Sequence, residues 1–480
     1  MSKILLLNPN KWGRGITTIW IASHCALLKK NGHQVELFDS TFYKNWSDYE
    51  LKYNTNNKQY KESNYHDRVK FTDRNIYEDL QQKINEFKPD VIFWSALSSH
   101  IHGEGEYVNL EYGYDLLSKI NHNCILVAGG IQITSNIKKV SKLFTKIDIF
   151  IRGESEFVLL DISNKIKNSD FKQEVLGIVF KDVSGELIIN HKQNLISDLD
   201  NIPKYDYNIF DEQVFLRAYN GQIIKAIDYE LSRGCVYTCS YCVETVIQKY
   251  YGFEETSAKG ALINAKKYLR SKSAKRIYEE LKSYKEELGI ELVRSQDTNF
   301  LTINPKVLKE LEELNKKNPL GVKLYIETRP EGINKKSVEL LKNLNVDGVG
   351  MGIELAGEQF REEELNRFAN QDKIIKAFEL LKENGIKRTS YNIIGLPNQT
   401  EASVISTIEF NKMLDPDNIT VAFYSPYLGT NEQKKSTKLN YFKDFEKNVD
   451  SQLRSVSTGK NLSISKLNYY KENFVNLVRN

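Results

Sequence analysis

The sequence predicts an α/β protein of two main units, a doubly wound parallel sheet followed by an incomplete parallel barrel. Three observations carry that prediction. Short apolar runs alternate with helically spaced apolar residues over residues 1 to about 170; a polar, proline-punctuated stretch, SDLDNIPKYDY, interrupts the pattern; and the same alternation resumes near Ile223.

In the first unit, Ile4–Leu7, Gln34–Phe38, Val91–Trp94, Ile125–Ala128 and Ile147–Ile151 read as strands. Between them Thr17–Lys30, Ile76–Phe87 and Gly113–Ile120 space their apolar residues as helices do. Buried strands separated by helices make a parallel, Rossmann-like sheet, and such sheets bind ligands beyond the carboxyl ends of their strands. The loops after Leu7, Trp94 and Ala128 are therefore the candidate ligand loops.

A hairpin pattern, LGIVFKDVSGELIIN, leads into the proline-punctuated linker. Six strands follow, near Ile224–Leu231, Glu291–Arg294, Lys323–Thr328, Gly348–Ile353, Thr389–Ile394 and Thr420–Tyr424, with helices between them. Six strand-helix repeats predict a partial (β/α)6 barrel of the TIM type. The last fifty residues, rich in Lys, Asn and Ser, read as a small appendage. The implied boundaries are 1–175 for the sheet unit, 176–222 for the hairpin and linker, 223–430 for the barrel and 431–480 for the appendage.

Length and charge narrow the functional classes. At roughly 150 residues per domain the chain is expected to hold about three. Its 67 basic and 63 acidic side chains leave a net charge of +4 over 480 residues, so charge offers no case for a nucleic-acid partner. The opening MSKILLLNPN has too short an apolar run for a secretory leader, and no later stretch is long enough to span a membrane, which predicts a cytoplasmic protein. Five cysteines are too few for a disulfide framework and suit a reducing compartment.

Three of those five lie within LSRGCVYTCSYC, just after the first barrel strand: Cys235, Cys239 and Cys242, at a C-x3-C-x2-C spacing. Buried free thiols have no reason to cluster in this way. Zinc is the serious rival, but structural zinc wants four ligands, and no fourth cysteine or nearby histidine follows Cys242. Three thiolates leave a 4Fe-4S cluster with one iron free of protein, a place for a substrate to bind.

The Arg-Gly-Cys-x3-Cys-x-Tyr-Cys segment after a first barrel strand resembles the radical SAM superfamily. The likeness continues through Gly352-Ile353-Glu354 on the fourth strand, Leu365-Asn366-Arg367, Ile394 to Pro397 on the fifth, and Pro426 to Thr430 near the sixth. It implies that the free iron chelates S-adenosylmethionine (SAM) and that an electron from the cluster cleaves it to methionine and a 5'-deoxyadenosyl radical. It further implies that Tyr241 packs near the adenine, that Ile394 and Leu396 border it, and that Glu327, Arg329 and Glu354 face the SAM pocket from strand ends. Arginine would pair with the methionine carboxylate and a carboxylate with ribose hydroxyls; an ordinary ion pair at the barrel mouth is the competing account of Arg329 and Glu354. Asp297 resembles the family's acidic position after the second strand. The Gly-Gly-Glu usual there is absent, which leaves the ligand of the SAM amino group open.

The first unit resembles the cobalamin-binding domain of one class of these enzymes. The residues that carry this are VAGGIQIT (Val127–Thr134), IRGESE (Ile151–Glu156) and the Asp198-Leu199-Asp200-x-x-Pro203 linker. Ser95, Gly129, Gly130, Ile131, Gly153 and Glu154 would line the cofactor, with Gly129 and Gly130 allowing a flat macrocycle close to the backbone, or merely making a strand-to-helix turn. Trp12 would lie against the corrin or cover a domain interface. The Asp-x-His-x-x-Gly motif that gives cobalt a histidine is missing. Either cobalt is held without a protein histidine or the domain is now scaffolding. His100 and His102 follow the third strand and read as cofactor-facing or as a solvated loop.

The function implied by these resemblances is cobalamin-dependent methylation of an unactivated carbon on a small molecule, fed by a low-potential donor such as flavodoxin or ferredoxin. Cobalamin-associated radical cyclisation or rearrangement without methyl transfer is the alternative, and a non-catalytic cobalamin or redox sensor is the alternative of another class. The interval Glu244–Lys272 reads as cover for a polar or anionic substrate or as a solvated helical face.

Overall fold

The structure is a computed structural model that describes residues 1–96, 104–424, 427–438 and 461–480. His100, His102 and Pro426 lie outside the described residues, as does much of the predicted appendage. The chain divides into two compact units, one of Met1–Leu51, Tyr65–Arg217 and Val246–Gly252, the other of Lys52–Asn64, Ala218–Thr245 and Phe253–Asn480.

The first unit is built on β1 (Lys3–Asn8), β2 (Gln34–Asp39), β3 (Val91–Trp94), β4 (Ile125–Ala128), β5 (Ile149–Ile151), β6 (Ile178–Lys181) and β7 (Leu187–Ile189). They form one sheet in the order β2-β1-β3-β4-β5-β6-β7. The first five strands pair in parallel, and β6 and β7 add antiparallel to the β5 edge. The predicted hairpin is thus the end of this sheet. All four side chains of β3 are buried, as a strand covered by helices on both faces requires. The order reverses between β1 and β3, so the crevice of this fold class opens beyond Asn8 and Trp94.

Two predicted helices appear at Ile19–Lys30 and Ile76–Phe87. The second is started by Asn75, whose side chain accepts the backbone N–H groups of Tyr77 and Glu78. Its Ile76, Leu80, Ile84 and Phe87 are buried, one apolar stripe at helical spacing.

The second unit holds β8 (Leu216–Tyr219), β9 (Gln222–Tyr229), the short pair β10 (Ser232–Arg233) and β11 (Arg270–Ser271), then β12 (Leu292–Ser295), β13 (Lys323–Thr328), β14 (Val346–Glu354), β15 (Lys387–Ile394) and β16 (Asn418–Phe423). Its main sheet runs β16-β15-β14-β13-β12-β9-β8, and the six strands from β9 to β16 pair in parallel. These are the six predicted barrel strands. β8 precedes them through an Asn220-Gly221 turn, both residues at positive φ, 52° and 84°.

Alternation on β14 shapes the barrel interior. Val349, Met351 and Ile353 are fully buried, while a Cβ on Gly348 would meet the Tyr325 ring at 2.9 Å and one on Gly350 the Tyr391 ring at 2.7 Å. The glycines make room for tyrosines from the two neighbouring strands. Those rings share a hydroxyl contact of 2.7 Å, and Tyr391 also donates to Glu327 at 3.0 Å.

The edge strand β16 is covered by side chains. Val421 N donates to Gln59 Oε1 at 2.9 Å, and Lys471 donates to the Val421 carbonyl, so that this edge is closed to another strand. Lys471 belongs to the helix Ile464–Arg479, whose Leu467, Phe474, Val475 and Val478 pack into one core with Ile394, Val404 and Val421. The chain therefore ends in a core helix where the sequence suggested an appendage: apolar residues at helical spacing outweigh the polar composition. Among the described residues no helix is long and apolar enough to cross a membrane.

Candidate functional site

The three clustered cysteines occupy one loop of the second unit, between the end of β9 and the helix Glu244–Tyr251. Local chemistry fixes how the loop leaves the strand. Arg233 is buried and pairs with Glu230 at 2.7 Å. Gly234 has φ of 98°, and a Cβ there would lie 2.8 Å from the Tyr268 carbonyl, so no other residue fits. Glu244 then reaches back, accepting the backbone N–H of Cys235 at 3.1 Å and the Tyr268 hydroxyl at 2.5 Å.

Asp297 ties down the approach to the loop. It is fully buried, accepts the Ser232 backbone N–H at 2.6 Å, the Ser232 and Ser295 hydroxyls at 2.5 Å each, and the Leu231 N–H at 3.2 Å. Burial pushes its carboxyl up to about 6, although these donors favour the charged form. The acidic position predicted as a SAM contact thus supports the β9 terminus.

The far side of the loop is clasped by Leu365-Asn366-Arg367. Asn366 donates to the Thr238 carbonyl at 2.8 Å and Ser240 N to the Leu365 carbonyl at 2.9 Å. Ser240 also meets Glu432 Oε2 at 3.2 Å, a carboxyl that burial raises to about 7. Neither Glu244 nor Glu432 was anticipated as a support.

Cys235 and Cys239 are buried and Cys242 half-buried. Burial, then the Glu244 charge, pushes the Cys235 thiol up to about 12. Burial and the neighbouring Cys239 push Cys242 well up. Three thiolates gathered here repel one another unless positive charge lies among them. Structural zinc takes four protein ligands, one more donor than these three cysteines supply. A four-iron cluster spreads its thiolate ligands over separate irons, and the donor set fits that group.

Beside the loop stands a polar group on the barrel mouth. Tyr241 donates to Glu354 Oε1 at 2.8 Å, and Arg367 pairs with the same oxygen at 3.7 Å. Glu354 has φ of 64° at an irregularity in the β14–β15 register, an uncommon conformation outside glycine that turns its carboxylate toward Tyr241. Arg367 also donates to the Gly352 carbonyl. Its Nε is buried with no hydrogen-bond partner among the described residues, although the residue is only 4% exposed. A buried guanidinium N–H in that state is a place for an anionic ligand.

The other predicted residues separate. Leu396 packs with Leu355, Leu365 and Tyr424 in a cluster that Tyr241 and Ile393 join. Ile394 packs into the helix core, on the face opposite its neighbour Ile393 as strand alternation requires; Ile393 joins the cluster that holds Leu396. Glu327 lies lower in the barrel, on Tyr391 and on Arg294 at 3.3 Å. Arg329, expected at the methionine carboxylate, has Nε on Glu331 at 3.0 Å and Nη1 on the Cys239 sulfur at 3.8 Å. In the sequence Arg367 carries no signal beyond its place in the Leu365-Asn366-Arg367 motif.

In the first unit the predicted positions gather at the carboxyl ends of β1, β3, β4 and β5. Ser95 follows β3 with φ of 59°. Gly130 has φ of 110°, and a Cβ on it would lie 2.6 Å from the Ser95 carbonyl. A Cβ on Gly153 would meet the Tyr250 ring at 2.7 Å, and Glu154 N donates to the Tyr251 hydroxyl at 2.8 Å. These two glycines are therefore required by the chain itself. Gly129 is different, since a Cβ there meets nothing nearer than 3.4 Å. Ile131 is buried, and Trp12 is buried under the Arg14 guanidinium, 4.8 Å from its ring. His24 is a core residue, its ring on the Trp20 carbonyl at 2.6 Å and on Ser155 at 3.0 Å.

The interval after the cysteines is buried at its two ends and solvated between them, with residues 254–259 exposed. Val246, Ile247 and Gln248 are buried, and Tyr250 and Tyr251 dock on the Arg152–Glu154 turn. Lys272 is fully buried over the Tyr229 ring at 4.0 Å.

Residues 229–410 match the Radical SAM superfamily. The chain is 25% identical over 382 residues to the anaerobic magnesium-protoporphyrin IX monomethyl ester cyclase of Rubrivivax gelatinosus, covering 77% of this chain and 62% of that protein. It is 24% identical over 354 residues to an uncharacterized methyltransferase of Pyrococcus horikoshii, covering 74% and 71%. The chain thus spans less than two thirds of the cyclase. Among solved structures, the fold resembles the cobalamin-dependent SAM radical enzyme OxsB, with a TM-score of 0.68 at 14% identity over 99% of this chain and 67% of that one. It also resembles the radical SAM methyltransferase TsrM of Kitasatospora setae, with a TM-score of 0.62 at 16% identity over 92% and 77%.

Proposed function

We propose that this chain, which carries a radical SAM domain over residues 229–410, is an enzyme that starts radical chemistry on a small molecule, with Cys235, Cys239 and Cys242 as the cluster ligands. When bound, the cluster supplies one electron that cleaves SAM to methionine and a 5'-deoxyadenosyl radical. The observation that carries the reading is the joining of the three-cysteine loop to the Tyr241, Glu354 and Arg367 group, with a buried Arg367 N–H left for a ligand.

The chain's own residues do the rest. Gly234, Glu244 and Asn366 hold the cysteine loop in one conformation. Arg367 offers the methionine carboxylate a charged donor, and Glu354 is placed to take ribose hydroxyls in exchange for the Tyr241 contact. The tyrosines of β13 and β15 fill the lower barrel, which confines the reacting groups near the mouth and keeps water from them. A low-potential one-electron donor of the flavodoxin or ferredoxin type suits such a site.

For the first unit we favour a cobalamin site at the carboxyl edge of the sheet and methylation of an unactivated carbon. Support comes from the switch point between β1 and β3, the open approach at Gly129, and the fold shared with OxsB and TsrM. Among the described residues His24 is not offered to cobalt, since its ring is hydrogen-bonded within the core. Ring closure or rearrangement without methyl transfer is the second reading, favoured by the similarity to the cyclase. Anaerobic reconstitution with iron, sulfide and cobalamin tests the methyltransferase reading, which a cluster without cobalamin removes; a methylated product, as opposed to an unmethylated one, separates it from the second reading.

A further inference from the structure

The sequence resemblance places Arg329 at the SAM carboxylate, yet the structure commits its guanidinium elsewhere. Nη1 donates to the Cys239 sulfur at 3.8 Å, Nη2 to the Phe368 carbonyl at 3.3 Å and Nε to Glu331 at 3.0 Å. Its central carbon lies 3.8 Å from the centroid of the Tyr237 ring. Every nitrogen of the side chain is engaged, one of them on a cysteine that the proposed function makes a cluster ligand.

Resting on that reading, we propose that Arg329 tunes the cluster: by fixing a positive charge and an N–H donor on the Cys239 sulfur, it raises the cluster's reduction potential. Adding one electron makes the cluster and its thiolates more negative. A donor and a cation held against a ligand sulfur stabilise the reduced form more than the oxidised one. At 7% exposure the charge is poorly screened by solvent. Glu331 offsets part of it and sets the orientation of the planar fork, while the Tyr237 face holds the guanidinium flat, a geometry that lysine cannot reproduce. Arg367 is thereby left as the cation for SAM, and the two arginines divide the work of the site.

The test is the midpoint potential of the anaerobically reconstituted full chain without SAM, read by optical and EPR titration with dithionite as the electron source. Arg329→Met is expected to lower the midpoint, so that the reduced-to-oxidised ratio at the wild-type midpoint falls about tenfold, a shift of about 59 mV for one electron. Glu331→Gln, which removes the opposing charge, is expected to shift it upward. An unchanged midpoint in Arg329→Met, with iron and sulfide content equal to wild type, overturns the proposal. Should Arg329→Met fail to retain a cluster, Glu331→Gln decides, and the absence of an upward shift overturns it. A wild-type chain that takes up no iron and sulfide defeats the cluster reading itself; a wild-type cluster indifferent to both substitutions defeats only the role of Arg329.

Discussion

Asn366 donates from Nδ2 to the Thr238 carbonyl at 2.8 Å and to the Thr238 hydroxyl at 3.0 Å. The Leu-Asn-Arg segment is therefore a clasp on the middle of the cysteine loop, not a separate feature of the barrel. Replacing Asn366 with Leu leaves the Thr238 carbonyl without that donor, at a cost of about 1–3 kcal/mol. The expected outcome is a lower Tm with cluster-bound iron lost faster to a chelator. A variant that holds iron as wild type does would show that the clasp is dispensable.

Arg367 and Arg329 are separable in binding. Arg367→Met is expected to weaken SAM binding by tenfold or more, since a charge-assisted contact of about 1.5–3 kcal/mol is removed, with the cluster spectrum unchanged. Equilibrium dialysis against labelled SAM measures it. Equal binding by variant and wild type would move the carboxylate site away from Arg367.

The glycines of the first unit divide by their surroundings. Gly130→Ala is expected to destabilise that unit by about 1–3 kcal/mol, because φ of 110° suits only glycine and the Ser95 carbonyl is too near. Gly129→Ala is expected to fold normally and to bind cobalamin more weakly. Thermal melts and cobalamin absorbance separate the two, and normal cobalamin binding by Gly129→Ala would contradict its place against the macrocycle.

Lys272 gives a pH signature. Burial lowers its ammonium from the ordinary value to about 8, with Glu280 opposing the shift from 3.2 Å. A depressed folded value means that its contribution to stability is fully present above the unfolded value near 10.5 and is lost as pH falls through about 8. Lys272→Met removes that dependence. Its stability relative to wild type, from denaturant unfolding, is expected to be highest near pH 7 and to fall by pH 10, by an amount on the order of 3 kcal/mol. A constant difference across this range would refute it.

Much of the architecture was legible because buried parallel strands are apolar runs with helices between them, and both sheets follow that pattern from Ile4 and from Ile224. The cysteine loop was legible from spacing. What escaped were relationships set by tertiary packing. Glu244 and Glu432 support the loop from positions with no motif; Ile393 and Ile394 differ only in the face that pairing gives them; and Gly153 reads as a ligand glycine although Tyr250 and Tyr251 fill its space. The polar tail hid a core helix because composition averages over the apolar stripe that folding uses.

The central claim is that Cys235, Cys239 and Cys242 carry a cluster that cleaves SAM. Its most direct measurement is 5'-deoxyadenosine released by the anaerobically reconstituted, dithionite-reduced chain with SAM. The account predicts deoxyadenosine from wild type and none from Cys239→Ala; a fully loaded cluster that yields none, or a Cys239→Ala variant that yields as much as wild type, would contradict it.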